Sequence, residues 1–158
     1  MGDRGSDDFR FRYEVKKRNG EYLIRTKHNR ILEWPEGQEI TPEMRKLKDY
    51  VRSREAQHSY FLEVPAQHDR PARIAKMQLS WTKITLPSPQ NTHPDLRDLP
   101  SIDEWVVRAW EIDAPSEVSE PIEWILETTV ETKTLDHALE RVNWYTYRWL
   151  DEDYHKCL

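Results

Sequence analysis

The sequence predicts a mixed fold, α+β or α/β in class, with a β-rich middle and one long helix at the C-terminal end. Three observations carry that expectation. Leu135, Leu139, Val142, Tyr145 and Trp149 recur at helical spacing. Short apolar runs at 58–64, 73–84, 104–112 and 121–129 are separated by turn formers, with no helical pattern between them. Seven Trp, seven Tyr and three Phe in 158 residues provide the aromatic surface of a buried core and argue against disorder.

Taken in order, the first element is ambiguous. Phe9, Phe11, Tyr13 and Val15 alternate with charged residues as a strand would, yet Phe9/Tyr13 and Phe11/Val15 are also i,i+4 pairs behind a possible cap at Ser6 or Asp7. Asn19-Gly20 ends this element, and Glu21–Lys27 reads as a strand. Thr41-Pro42-Glu43 opens a helix over 41–54, with Pro placed where its missing N–H costs nothing. The four strand candidates follow, interrupted by LPSPQNTHPDLRDLPS at 86–101, whose four prolines mark a surface loop. The last helix runs from about 134, with Thr134 at its N-cap, and reaches the end without a Gly, Asn or Pro stop. Composition divides the chain at 1–30, 31–120 and 121–158.

Charged residues make up 34% and apolar residues 37% of the chain. No apolar run approaches the roughly 20 residues needed to span a bilayer, so no membrane role is expected. The opening MGDRGSDD lacks the basic-then-apolar order of a secretory signal. A single cysteine, Cys157, excludes an internal disulfide and a cysteine-built zinc site. Histidines are scattered without metal spacing, and four glycines form no phosphate-cradling loop. The net charge of −5 conceals an asymmetry. Residues 1–83 carry 18 Lys and Arg against 13 Asp and Glu, whereas residues 84–158 carry 6 against 16. That difference is compatible with a basic surface in the first half, or with two differently solvated faces.

Tyr145, Arg148 and Glu152 lie three and four residues apart, so one helix face carries all three. Alone, the Arg and Glu would read as a surface ion pair. The wider string, PIEWILETTV followed by WYTYRWLDEDYHK, resembles the signature of bacterial cut-and-paste transposases of the insertion-sequence-four family. That signature is Tyr-x-x-Arg-x-x-x-Glu-x-x-x-x-x-x-Lys on a long helix behind a strand of the Glu-Trp-Ile-Leu-Leu-Thr-Thr type. Gly2-Asp3-Arg4-Gly5-Ser6-Asp7, followed by Tyr22-Leu23-Ile24-Arg25, similarly resembles the family's second-aspartate segment. The two matches occur in the family's order, while the middle matches loosely.

The resemblance implies a partial ribonuclease-H-like core, interrupted by a β-rich insertion and ending in the long helix. It implies Asp3 and Glu152 as catalytic, metal-holding carboxylates for Mg²⁺ or Mn²⁺, hard cations suited to oxygen ligands. Asp151 and Asp153 point to other helix faces. Tyr145 and Arg148 become DNA contacts, joined by Arg4, Arg25, Lys27 and Arg30 at the backbone. Trp124 becomes the platform for a base flipped from the transposon end, which predicts a partly accessible ring beside a groove. The implied partner is DNA at transposon ends, in the bacterial cytoplasm near the nucleoid; the family acts there as a dimer, but its dimerisation region has no counterpart among the 158 residues.

Two family residues have no counterpart among the 158. The first aspartate of the triad lies well upstream of the second, and the signature Lys would fall one position beyond Leu158. The expectation is therefore a transposase catalytic-domain fragment with little or no catalysis of its own. Two alternatives stand beside it: an inactive DNA-binding or regulatory remnant, and an unrelated α+β interaction domain.

Overall fold

Five of the apolar runs pair into one sheet in the computed structural model, which describes residues 9–66, 68, 70–88 and 99–156. The strands are β1 (Leu23–Arg25), β2 (His58–Val64), β3 (Arg73–Leu86), β4 (Ile102–Ile112) and β5 (Glu123–Thr128). Their order is β1-β5-β4-β3-β2, and every neighbouring pair is antiparallel. Three helices join them: α1 (Phe9–Lys17), α2 (Leu47–Ser53) and α3 (Leu135–Lys156). The mixed class therefore stands as α+β. The three composition-defined regions meet in this one sheet, because β1 pairs with β5 and β5 with β4.

Alternation along the strands divides the core between two faces. Ala75, Met77 and Leu79 of β3, Val107 and Ala109 of β4, and Trp124 and Leu126 of β5 pack against Ala138 and Val142 of α3. The opposite face buries Ile84, Leu86, Ile102, Val106 and Ile125 with Leu47 and Val51 of α2. Each fully buried aliphatic side chain contributes about 1.5–3 kcal/mol relative to exposure. Both faces are covered, so β4 and β5 carry buried positions on both sides of the strand.

The ambiguous first element is a helix. Asn19 adopts a left-handed φ of 56°, and Gly20 returns its N–H to the Val15 carbonyl at 2.9 Å, which ends α1. The helix expected over 41–54 is instead split. A 3₁₀ turn at Pro42–Met44 precedes α2, and Lys46 between them is extended. The cause is tertiary: Lys46 bridges Ile31, Arg45 accepts the Leu32 N–H, and Leu47 donates to the Arg30 carbonyl. Thr41 makes no side-chain cap. At α3 the expected cap is present, since Thr134 Oγ1 accepts the His137 N–H at 3.2 Å. Among the described residues, no helix is long and apolar enough to cross a membrane.

Candidate nucleic-acid interface

Register brings the first and last regions together on the α3 side of the sheet. Arg25 pairs with Leu126 across β1 and β5, so Arg25 and Trp124 share the face beneath α3. Arg25 Nη1 donates to Tyr145 Oη at 3.1 Å, and its guanidinium lies 5.9 Å from the Tyr145 ring centroid. Arg25 Nη2 also donates to the Glu123 carbonyl at 3.2 Å. The Tyr145 ring sits 5.1 Å from Trp124, and Trp149, one turn further along α3, sits 5.3 Å from it.

Trp124 is thereby closed in. It is 2% exposed, and the expected partly accessible ring is not what the structure presents. Tyr145 and Trp149 occupy the neighbourhood a base would need, so stacking on Trp124 requires one of those rings to move. The half-buried Arg148 lies one turn from Tyr145 and is itself partnered. Lys27 and Arg30 belong elsewhere. Their segment docks beside the start of α2, on the other face of the sheet, where the Lys27 carbonyl accepts from Lys48 Nζ and the Arg30 carbonyl from the Leu47 N–H. Asp3 and Arg4 lie outside the described residues, and Glu152 lies in α3 with its side chain outside the description.

The sequence places Trp149 on the apolar face of α3, as an i,i+4 companion of Tyr145, but not in the site; Trp144 and Tyr147 carry no such signal. Trp144 and Tyr147 are exposed, the latter at 75%, and the Arg141 guanidinium lies over the Trp144 ring at 4.7 Å. Arg–aromatic pairs of this kind suit stacking on bases.

A second constellation, also missed, lies on the opposite face of the sheet. Arg12 of α1 bonds Glu104 of β4 and donates to both Glu127 oxygens of β5, at 3.1 and 3.3 Å. Tyr22 donates to Glu104, and Thr26 to Glu127 at 2.8 Å. Arg12, Glu104 and Glu127 are all inaccessible to solvent. Burial, followed by the charge of Glu127, pushes the Glu104 carboxyl well above the usual carboxylate range. Burial also acts to lower the Arg12 pKa, but attraction to Glu127 and Glu104 outweighs it and holds the group above its ordinary value. The only sequence signal was a pair of glutamates at inward positions of apolar strands. One guanidinium and two carboxyl groups, all inaccessible to solvent, tie α1 to the sheet; they offer substrate no approach.

Among the described residues, no three His, Cys, Asp or Glu side chains converge to hold a metal ion. The carboxylates expected to do so, Asp3 and Glu152, lie outside the described side chains. No protein-family model matches the chain.

Proposed function

We propose that this chain is catalytic-core material of a DNA transposase, of the class that cuts and rejoins strands at transposon ends with Mg²⁺ or Mn²⁺. The observation that supports the reading best is the Arg25–Tyr145–Trp124 contact. It joins the segment after the second aspartate, the Glu-Trp-Ile-Leu strand and the signature helix, which the chain separates by about a hundred residues. A β-rich insertion between them also fits, since β2, β3 and β4 extend the sheet away from β1. Among the described residues β1 pairs with β5 alone, and its other edge is where further strands of a ribonuclease-H-like core would add.

In this reading Asp3 and Glu152 hold the metal, which when bound activates the attacking oxygen and stabilises the leaving one. Arg148 presents a planar fork of donors to phosphate, and Tyr145 a phenolic group on the same helix face. Arg25 holds Tyr145 in place. Trp124 receives a displaced base once Tyr145 or Trp149 swings aside. The protein works on DNA in the bacterial cytoplasm, as one member of a pair bringing two ends together. The chain's contacts to DNA are made through phosphate.

The test is a chimera joining this chain to the first-aspartate and signature-lysine segments of a transposase of that family. Metal-dependent nicking of that family's transposon ends is expected. Glu152→Ala should abolish nicking and spare binding, whereas Arg148→Ala should weaken both. A chimera that neither binds nor nicks DNA would leave the unrelated interaction domain as the better reading.

A further inference from the structure

The far edge of the sheet has the properties of a self-pairing strand. Among the described residues β2 pairs with β3 alone, in unbroken register from His58↔Leu79 to Val64↔Arg73. Soluble proteins ordinarily blunt such an edge with Lys, Pro, a bulge or a short strand. The sequence HSYFLEV has none of these devices within it; its single charge is Glu63. At the centre of the strand stands Phe61, 71% exposed, paired across to Lys76 of β3; one diagonal step away, opposite Glu63, stands Ile74, 66% exposed. These are the two largest exposed apolar side chains on the described strands, and they lie together on one face.

We infer that β2 joins a second copy of this chain, antiparallel, about a two-fold axis through Phe61. Three features argue for this occupant over an unrelated partner. The strand is self-complementary: centring on Phe61 places His58 opposite Val64 of the second copy, Ser59 opposite Glu63, and Tyr60 opposite Leu62. That centre alone pairs the whole strand, since a shift to Tyr60 or Leu62 leaves residues unpaired or brings Pro65 into the ladder. Glu63 meets a serine and not its own image, so no like charges face each other. On the α3 side, the half-buried His58, Tyr60, Leu62 and Val64 meet one another across the junction. On the other side the Phe61 rings meet on the axis, with Lys76 of each copy behind them and Ile74 one diagonal step away.

The pairing supplies about six to eight inter-strand hydrogen bonds, two for every second residue pair. It makes the two sheets continuous, with both α3 helices on the same side. The proposal stands apart from the DNA-cutting reading. It needs only the β2 edge, on the strand furthest from β1.

The experiment combines sedimentation with site-directed cross-linking of the full 158-residue chain, in a Cys157→Ser background that removes its single native thiol. Sedimentation at micromolar concentrations should give a dimer. Phe61→Lys, an exposed change that leaves the circular dichroism intact, should raise the dimer dissociation constant more than about tenfold, or ~1.4 kcal/mol. The F61C variant should form a disulfide dimer under mild oxidation, because directly opposed Cα atoms lie about 4.5–5.5 Å apart. The S59C variant should not, because its two copies fall about 13 Å apart along the ladder. A monomer that fails to cross-link through F61C overturns the proposal. So does a dimer that survives Phe61→Lys, or that cross-links through S59C as readily as through F61C.

Discussion

Arg12 of α1 and Glu127 of β5 meet through both terminal guanidinium nitrogens and both carboxylate oxygens, at 3.1 and 3.3 Å, and neither side chain touches solvent. Glu104 closes the group from β4. One arginine thus joins a helix to the neighbouring interior strands β4 and β5. Its removal leaves Glu127 buried without its cation and Glu104 without its donor. Arg12→Met should cost about 3–5 kcal/mol of unfolding free energy in urea titrations. Adding Glu104→Gln and Glu127→Gln to that variant should recover part of the loss.

Glu104 predicts a pH dependence of definite sign. Its folded-state pKa is raised by burial first and by Glu127 second. The folded chain therefore holds a proton that the unfolded chain releases near the ordinary value of 4.5. The stability this proton confers is complete below that value and is lost as pH rises toward the folded pKa. Glu104→Gln removes the dependence. Compared by denaturant unfolding, the variant should gain on the parent from about pH 5 upward, by at most ~1.4 kcal/mol per pH unit.

The acid limb belongs to other carboxylates. Glu123 is held below its ordinary pKa chiefly by its hydrogen bond from Arg52, against burial, with Arg108 assisting. Glu111 is lowered although burial opposes it, because Arg73 and the Ile122 N–H, at 3.1 Å, bond its carboxylate. Both contributions are present above the usual carboxylate range and are lost as pH falls below it. Arg73→Met should leave Glu111 buried without its cation, destabilise the chain by about 3 kcal/mol, and shift the acid-unfolding midpoint upward. Circular dichroism against pH reads both.

The aromatic stack on α3 separates structure from binding. Tyr145→Phe removes the Arg25 bond and keeps the ring against Trp124, so stability should change by about 1 kcal/mol or less. If the DNA reading holds, affinity for duplex DNA should fall and the salt dependence of binding should shrink by about one phosphate contact upon Arg148→Ala. Fluorescence anisotropy across a salt series measures that slope.

Opening the lid over Trp124 is a sharper probe. Trp149→Ala should cost about 2–3 kcal/mol in stability, because half-buried ring contact is lost. In the DNA reading the same change should strengthen binding to an oligonucleotide bearing an unpaired base relative to a fully paired one. Equal losses for the two oligonucleotides would remove Trp124 from the binding surface.

Much of this architecture was legible in the residues. Strand β2 lies where its alternation placed it, and β3 and β4 exceed their expected spans by two residues each. Thr134 caps α3 as its side chain allows. These features rest on neighbours close in sequence, on period and cap, and each is encoded within a few residues. The candidate site was legible only as a pattern of residue types: Tyr145 and Arg148 could be placed on one helix face, but nothing local indicated that Trp149 and Tyr145 would enclose Trp124.

What only the tertiary structure decided are the places where distant segments outweighed local preference. Phe9–Val15 alternates as a strand would, yet it is helical and buries Arg12, because two glutamates about a hundred residues away neutralise that charge. The helix expected from Thr41 breaks at Lys46, because residues 30–32 take its backbone hydrogen bonds. Sequence period specifies which face of an element is apolar; it carries no information about which remote charge or backbone group will meet that face. That meeting is set by strand order, and here the order places β5 between β1 and β4.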